Sequence, residues 1–251
     1  MKKYIPSFHQ LCSISALLQT IIFVAPLARG DAVSDKILAE AEAIRAPDQG
    51  KSKVALRSVQ GDSDITYQLD VLMGTRKRAF LDFKGPLVEK GRKMLLLDGG
   101  YWSRFPNSKK VIPISRREAI GNSTFALADI FRLDRTEYES KIEGEEKIDG
   151  KPVTRLALKA KNASVPYASV KYFVEKQGSF PIKAQFFGPS GKHLKSLYVE
   201  ERKQLGKRVR ASIVRMDDEV TAGRKSWWKT ESLTEEEIPE EVFTTEFLLR
   251  E

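Results

Sequence analysis

From about residue 50 onward, apolar residues recur at every second position. Ile65, Tyr67, Leu69 and Val71 alternate with Thr66, Gln68 and Asp70, and Ala79, Leu81 and Phe83 are flanked by Arg78 and Lys84. Val170, Tyr172 and Val174 follow the same rhythm beside Lys171 and Glu175. A period of two marks strands with one buried and one solvated face. Between the runs lie short turn signals such as Gln60-Gly61-Asp62, Asp98-Gly99-Gly100, Asp149-Gly150 and Gly188-Pro189-Ser190-Gly191. Strands joined by tight turns, with no long helix between them, predict an antiparallel meander of about eleven strands and argue against βαβ units. One helix is predicted ahead of the strands, over Ser34 to Arg45. Ser34 is its expected N-cap, and Ile37, Leu38, Ala41 and Ile44 fall at helical spacing.

Two stretches break the alternation. Residues 106–134 are irregular and interrupted by Pro106 and Pro113; one helical turn is expected there, capped by Ser123, with Phe125, Leu127, Ile130 and Phe131 on its apolar face. The tail from Pro239 to Leu249 carries Val242, Phe243, Phe247 and Leu248, on a short closing helix or an extended tail. A sheet of about eleven strands cannot stay flat, and so little helix cannot cover it. The expected fold is therefore mainly β, one antiparallel sheet curled into an unclosed barrel with short helices over its open side. Its concavity either fills with side chains or leaves room for an apolar ligand.

Charge changes the picture less than its total suggests. The 251 residues carry 43 Lys and Arg against 34 Asp and Glu, a formal net charge of +9. Met1-Lys2-Lys3, an uncharged run from Leu11 to Leu27 and Ala28-Arg29-Gly30 read as a cleavable signal peptide over residues 1–30, with a carrier domain over 31–251. Losing Lys2, Lys3 and Arg29 lowers the charge to +6. The single cysteine, Cys12, lies in the same leader, so the mature chain is expected to have no disulfide, thiol nucleophile or cysteine metal site. An exported chain without cysteine suits a bacterial envelope.

Tyr101-Trp102-Ser103-Arg104-Phe105-Pro106, Lys109 to Ile114 and Ala126-Leu127-Ala128-Asp129-Ile130-Phe131-Arg132-Leu133-Asp134 form a recognisable series. It resembles the outer-membrane lipoprotein-sorting family, the LolA/LolB-like carriers, and within it the LolA-like branch associated with RND-type exporters. The tail Ile238-Pro239-Glu240-Glu241-Val242-Phe243-Thr244 is similar to that branch's closing segment, while its glycine-rich approach is reduced here to Gly121-Asn122-Ser123. The resemblance implies a periplasmic, monomeric, non-enzymatic carrier without cofactor. Its cargo would be an acylated lipoprotein or another lipid, its donor an inner-membrane exporter of the RND type, and its acceptor in the outer membrane.

For such a carrier the ligand-binding residues would be Ile65, Tyr67, Leu69, Val71, Ala79, Leu81, Phe83 and Trp102 on the sheet. Phe125, Leu127, Ile130 and Phe131 would form either a moving lid or a fixed part of the core. Arg116 and Arg117 either hold that lid through backbone carbonyls or are simply solvated. Other classes are less well supported. No HExxH, GxSxG or Walker sequence occurs, and His193, the only histidine after the leader, has no neighbouring ligand set, so neither catalytic nor metal residues are expected. The basic residues between Arg202 and Arg215 could form a nucleic-acid face, but Arg208 and Arg210 stand where strand solubility alone would place charge. An envelope adaptor that docks a transporter or regulatory protein without holding lipid remains the alternative.

Overall fold

The computed structural model describes residue 1, residues 31–97 and residues 100–250. The leader read over residues 1–30, including Cys12, lies outside the described residues from position 2 to position 30, as do Asp98 and Gly99 of one turn. The chain opens with helix α1 (Ala32–Arg45). Six strands follow: β1 (Gly50–Gln60), β2 (Ser63–Gly74), β3 (Arg78–Gly85), β4 (Lys93–Leu97), β5 (Gly100–Arg104) and β6 (Val111–Ile114). After an irregular connector come β7 (Tyr138–Ile148), β8 (Lys151–Ala160), β9 (Ser169–Glu175), β10 (Pro181–Phe187), β11 (His193–Leu205), β12 (Arg208–Asp218) and β13 (Lys225–Thr234). The chain ends in a 3-10 turn at Glu240–Phe243 and helix α2 (Thr245–Leu248).

All thirteen strands of the described residues belong to one antiparallel sheet in the order β6-β5-β4-β3-β2-β1-β13-β12-β11-β10-β9-β8-β7. The sheet is mainly β architecture of the expected kind, with thirteen strands where the sequence predicts about eleven. Its two edges, β6 and β7, are neighbours in sequence and do not pair. The barrel is therefore unclosed, and residues 115–137 must cross from one edge to the other.

The predicted alternation is realised where only one face is covered. Strand β1 reads buried at Ser52, Val54, Leu56 and Ser58, with exposed residues between. The inward sets of β1–β5 and β8–β12 join α1 and the connector in one apolar core. Strands β3 and β4 behave differently: Phe80 and Leu95 are buried on the outer face, beneath Ile238, Val242, Phe243 and Leu248 of the tail. The tail thus packs on the back of the sheet and does not close its mouth. Gly74 makes room for it, because a Cβ there would come within 2.6 Å of the Phe243 ring.

Helix α1 starts two residues before the predicted cap. Asp31 is the N-cap, its carboxylate accepting from the Val33 N–H at 3.0 Å. Ser34 is instead buried inside the first turn, sharing a hydrogen bond of 2.7 Å with Ser140 of β7. The helix is docked by this contact to one sheet edge.

Phe83, fully buried between the Tyr67 ring and the Arg92 guanidinium, tests the inner face of β3. Phe83→Ala should lower stability by about 3–5 kcal/mol, measured by equilibrium denaturation; a loss near zero would remove β3 from the core.

Candidate functional site

The connector is held to the concave face in two stretches. Its first stretch is fastened to the sheet floor. The Asn122 N–H donates to the Tyr67 hydroxyl at 2.8 Å and the Asn122 carbonyl accepts from Ser58 at 2.6 Å. The Thr124 N–H donates to Ser226 and its hydroxyl donates to the Met216 carbonyl, both at 2.9 Å. Gly121 is required here twice over: its φ is +60°, and a Cβ would lie 2.5 Å from the Tyr67 ring. The reduced glycine approach therefore keeps the one glycine that geometry demands.

The second stretch, residues 126–134, is fastened to α1, to Tyr167 just before β9 and to strand β11. A 3-10 turn spans Leu127–Ile130, and Asp129 rather than Ser123 secures its start, accepting from the Ala126 N–H at 2.8 Å. The other Asp129 oxygen accepts from the Tyr167 hydroxyl at 2.7 Å, and Lys195 of β11 pairs with the carboxylate at 3.4 Å. Arg45, the last residue of α1, donates to the carbonyls of Asp129 (3.1 Å) and Phe131 (2.5 Å). Glu42 holds that guanidinium through two bonds of 2.8 and 2.7 Å, and accepts from the Leu133 N–H at 2.7 Å and from the Tyr172 hydroxyl. Arg132 completes the clasp by donating to the Ala46 carbonyl from two nitrogens and pairing with Asp48.

Glu42 is only 1% exposed, so this clasp operates where charges interact strongly. Burial works against the Arg45 charge, but the Glu42 carboxylate, by charge and hydrogen bond, more than offsets it and raises the arginine's pKa. Burial, reinforced by Glu42, pushes the Tyr172 hydroxyl well above its usual range, and burial with Asp129 does the same to Tyr167. Both phenols are held as neutral donors.

Around this clasp lies the open space of the concave side. A cleft of about 710 Å³ runs between α1, the β2–β3 turn and residues 131–137, with Leu38, Met73, Phe131 and Leu133 among its apolar walls. Deeper in, a void of about 80 Å³ lies among Phe125, Ile130, Leu197, Val214 and Trp228. A third, of about 20 Å³, lies among Asp129, Tyr138, Tyr167 and Tyr172. Phe131 and Leu133 wall both the cleft and the smallest void, and Pro47 and Met73 wall both the cleft and the apolar void. The connector's apolar side chains thus stand between open cleft and interior.

The residues read as ligand-binding are brought together, with one exception. Tyr67, Leu69, Val71, Ala79, Leu81 and Phe83 are buried in the concave core, Ile65 packs against it, and Phe125, Leu127, Ile130 and Phe131 fill its centre. Val71, Phe125, Ile130 and Phe131 also wall the cavities. Trp102 lies on the other face, opposite Leu95 and against the tail. Arg116 pairs with Glu137 at 2.9 Å and Arg117 reaches the Val165 carbonyl at 3.5 Å; the carbonyls of the connector's apolar turn are bound by Arg45. Glu42 and Arg45 escaped the sequence reading, although their spacing from Leu38 and Ala41 puts both on the buried stripe of α1, where an unpaired charge would be costly. His193 is half-buried, stacked on Phe187, and no group of metal-ligating side chains occurs among the described residues. Among them, no helix is long and apolar enough to cross a membrane.

An unclosed antiparallel sheet curled over an apolar concavity and spanned by a helix and a clasped connector defines the LolA-like class of folds. A LolA superfamily protein from Nitrosomonas europaea is 25% identical, with a TM-score of 0.78 over 85% of this chain and 98% of that one. A protein described as an outer membrane lipoprotein-sorting domain, from Vibrio parahaemolyticus, is 21% identical with a TM-score of 0.76, covering 87% and 99% of the two chains. A DUF1329 family protein from Desulfovibrio piger is 17% identical with a TM-score of 0.77, covering 88% and 99%. No curated protein matches the chain. A family model described as "Uncharacterized protein" matches residues 75–250, and the chain belongs to that family.

Two outcomes follow from the clasp. Arg45→Ala leaves Glu42 buried without its cation and should cost about 3–5 kcal/mol in denaturant unfolding; a loss under about 1 kcal/mol would show that the pair holds nothing. Because Tyr138, Tyr167 and Tyr172 all have hydroxyl pKa values raised by burial, their neutral forms favour the folded state, and that contribution is complete below the unfolded value of about 10. Stability should fall as pH rises above about 10, with phenolate absorbance from these three appearing only on unfolding.

Proposed function

We propose that the protein is a non-enzymatic periplasmic carrier that takes the acyl chains of lipoproteins or other lipids into its concave side and passes them toward the outer membrane. The observation that carries this reading is the placement of the connector. Its four apolar side chains, Phe125, Leu127, Ile130 and Phe131, occupy the space that a hydrocarbon chain would need, and the placement of its second stretch is fixed by hydrogen bonds to α1, Tyr167 and β11. Releasing the contacts of Arg45, Glu42, Asp129 and Arg132 frees that stretch while the bonds of residues 122–124 to the sheet still anchor its start. The adjoining cleft of about 710 Å³ is within the range of roughly 300–1,000 Å³ typical of small-molecule sites.

The energetic logic is transfer from water to hydrocarbon, about 0.8 kcal/mol per methylene. Uptake is then driven by the ligand's own insolubility, and release by an acceptor that covers the chain equally well. The expected leader, the likeness to a lipoprotein-sorting domain and the LolA-like fold support a periplasmic route, with an inner-membrane exporter as donor and an outer-membrane acceptor. The small inner voids favour the second reading, an adaptor whose concavity stays permanently filled by its own connector.

Native mass spectrometry with lipid extraction, on protein isolated from the periplasm, distinguishes the two. The carrier should retain extractable lipid and bind acyl probes reversibly, each added methylene tightening binding about fourfold over a homologous series. Protein free of lipid, with no dependence on chain length, would establish the adaptor.

A further inference from the structure

The void of about 20 Å³ has room for about one water-sized group, and its polar walls are uneven. Most of its polar groups are satisfied: Tyr167 donates to Asp129, Tyr172 donates to Glu42, and Arg45 bonds Glu42 and two carbonyls. Two are not. Tyr138, the first residue of β7, is fully buried, yet its hydroxyl proton has no acceptor. The backbone N–H of Tyr167 that faces it is itself a donor, so the phenolic proton has no acceptor. Arg116 lines the same void, and its buried Nε–H is likewise unpartnered while its other end holds Glu137. Buried polar groups in folded proteins are nearly always paired, and here both leftovers are donors.

Three further features define what would pair with them. The void shares Phe131 and Leu133 with the open cleft, and Arg45, Asp129 and Leu197 with the apolar inner void, so it lies between two spaces suited to hydrocarbon. Its charges are already matched, Arg45 with Glu42, Lys195 with Asp129 and Arg116 with Glu137. An anion placed there would therefore find both lining arginines already engaged and would meet the Asp129 carboxylate in the wall.

Building on the carrier reading above, we infer that Tyr138 and Arg116 form a subsite for a neutral hydrogen-bond acceptor within the ligand, an ester or amide carbonyl with carbon chain on both sides. The two donors select acyl-linked lipids over plain hydrocarbons and over free fatty acids. Neither residue reacts with the ligand; each sets its identity and depth.

The test is displacement of the apolar fluorescent reporter N-phenylnaphthylamine by methyl dodecanoate, tridecane and dodecanoate, three probes of similar length. It is run on the wild-type protein, Tyr138→Phe and Arg116→Lys, the last keeping a cation for Glu137 but lacking Nε. In the wild type the ester should bind about tenfold tighter than either competitor, the worth of a good hydrogen bond. Tyr138→Phe should remove most of the ester preference without weakening the alkane, the Arg116 Nε–H remaining as the second donor, and its thermal midpoint should change little, since the proton removed has no acceptor. Arg116→Lys should reduce the preference in part. If the three probes displace the reporter equally in the wild type, or Tyr138→Phe keeps the ester preference, the subsite is refuted and the carrier reading stands. If no probe displaces the reporter, the carrier reading fails and this inference fails with it.

Discussion

The architecture depends on a gap. Strands β6 and β7 are the two edges of a thirteen-stranded sheet and are also consecutive in the chain, so the segment joining them has no path except across the opening. A closed barrel would have satisfied the edges by pairing them. Here the edges are left to other devices: β6 is short and carries Pro113, while β7 carries four Glu and two Lys and is broken by a bulge between Ile142 and Gly144. Both are recognised ways of keeping an open edge from recruiting another strand. The gap creates the concavity, requires the connector, and gives α1 a surface to dock on.

What fills the gap is built from two kinds of interaction with different reversibility. Apolar packing supplies most of the attraction between connector and sheet and is indifferent to which hydrocarbon provides it. The hydrogen bonds at Arg45, Glu42 and Asp129 are directional and specify one placement. Other apolar side chains could supply the packing of Phe131 or Ile130, but not the two carbonyl bonds of Arg45. Attraction and placement are thereby assigned to separate groups in the same few residues, and the Ala126-to-Asp134 motif contains both: Leu127, Ile130 and Phe131 pack, while Asp129 and Arg132 fasten.

The sheet was legible in the sequence because one-sided burial leaves a period of two. The inner residues of β2 and β3, from Tyr67 to Phe83, could be named on that basis alone. The same rule failed at Trp102, since around β4 and β5 both faces are covered and alternation no longer says which side a residue takes. The tail that covers the second face lies about 140 residues away in sequence, beyond any local pattern. The clasp was illegible for a related reason: Arg45 meets Asp129 and Phe131 across 84 and 86 positions, and Glu42 meets Tyr172 across 130. A glutamate in a charged helix reads as solvated until its place on the apolar stripe is noticed. Tyr138 carries no signal in the sequence, since only the fold shows that its buried hydroxyl proton lacks an acceptor.

The pairing of β1 with β13 bears on how the sheet is made during synthesis. Strands β1 to β6 form one meander and β7 to β13 another, each assembled from neighbours in sequence, and the seam between them joins Lys51 to Thr234. Local hairpins of either meander can form as the chain emerges, but the seam requires contact between its beginning and its end, the slowest class of pairing. Until that zipper closes, each half is a curved sheet with an exposed flank and an unfinished core. The last strand to be synthesised is thus the one that joins the two meanders into a single sheet and completes their shared core.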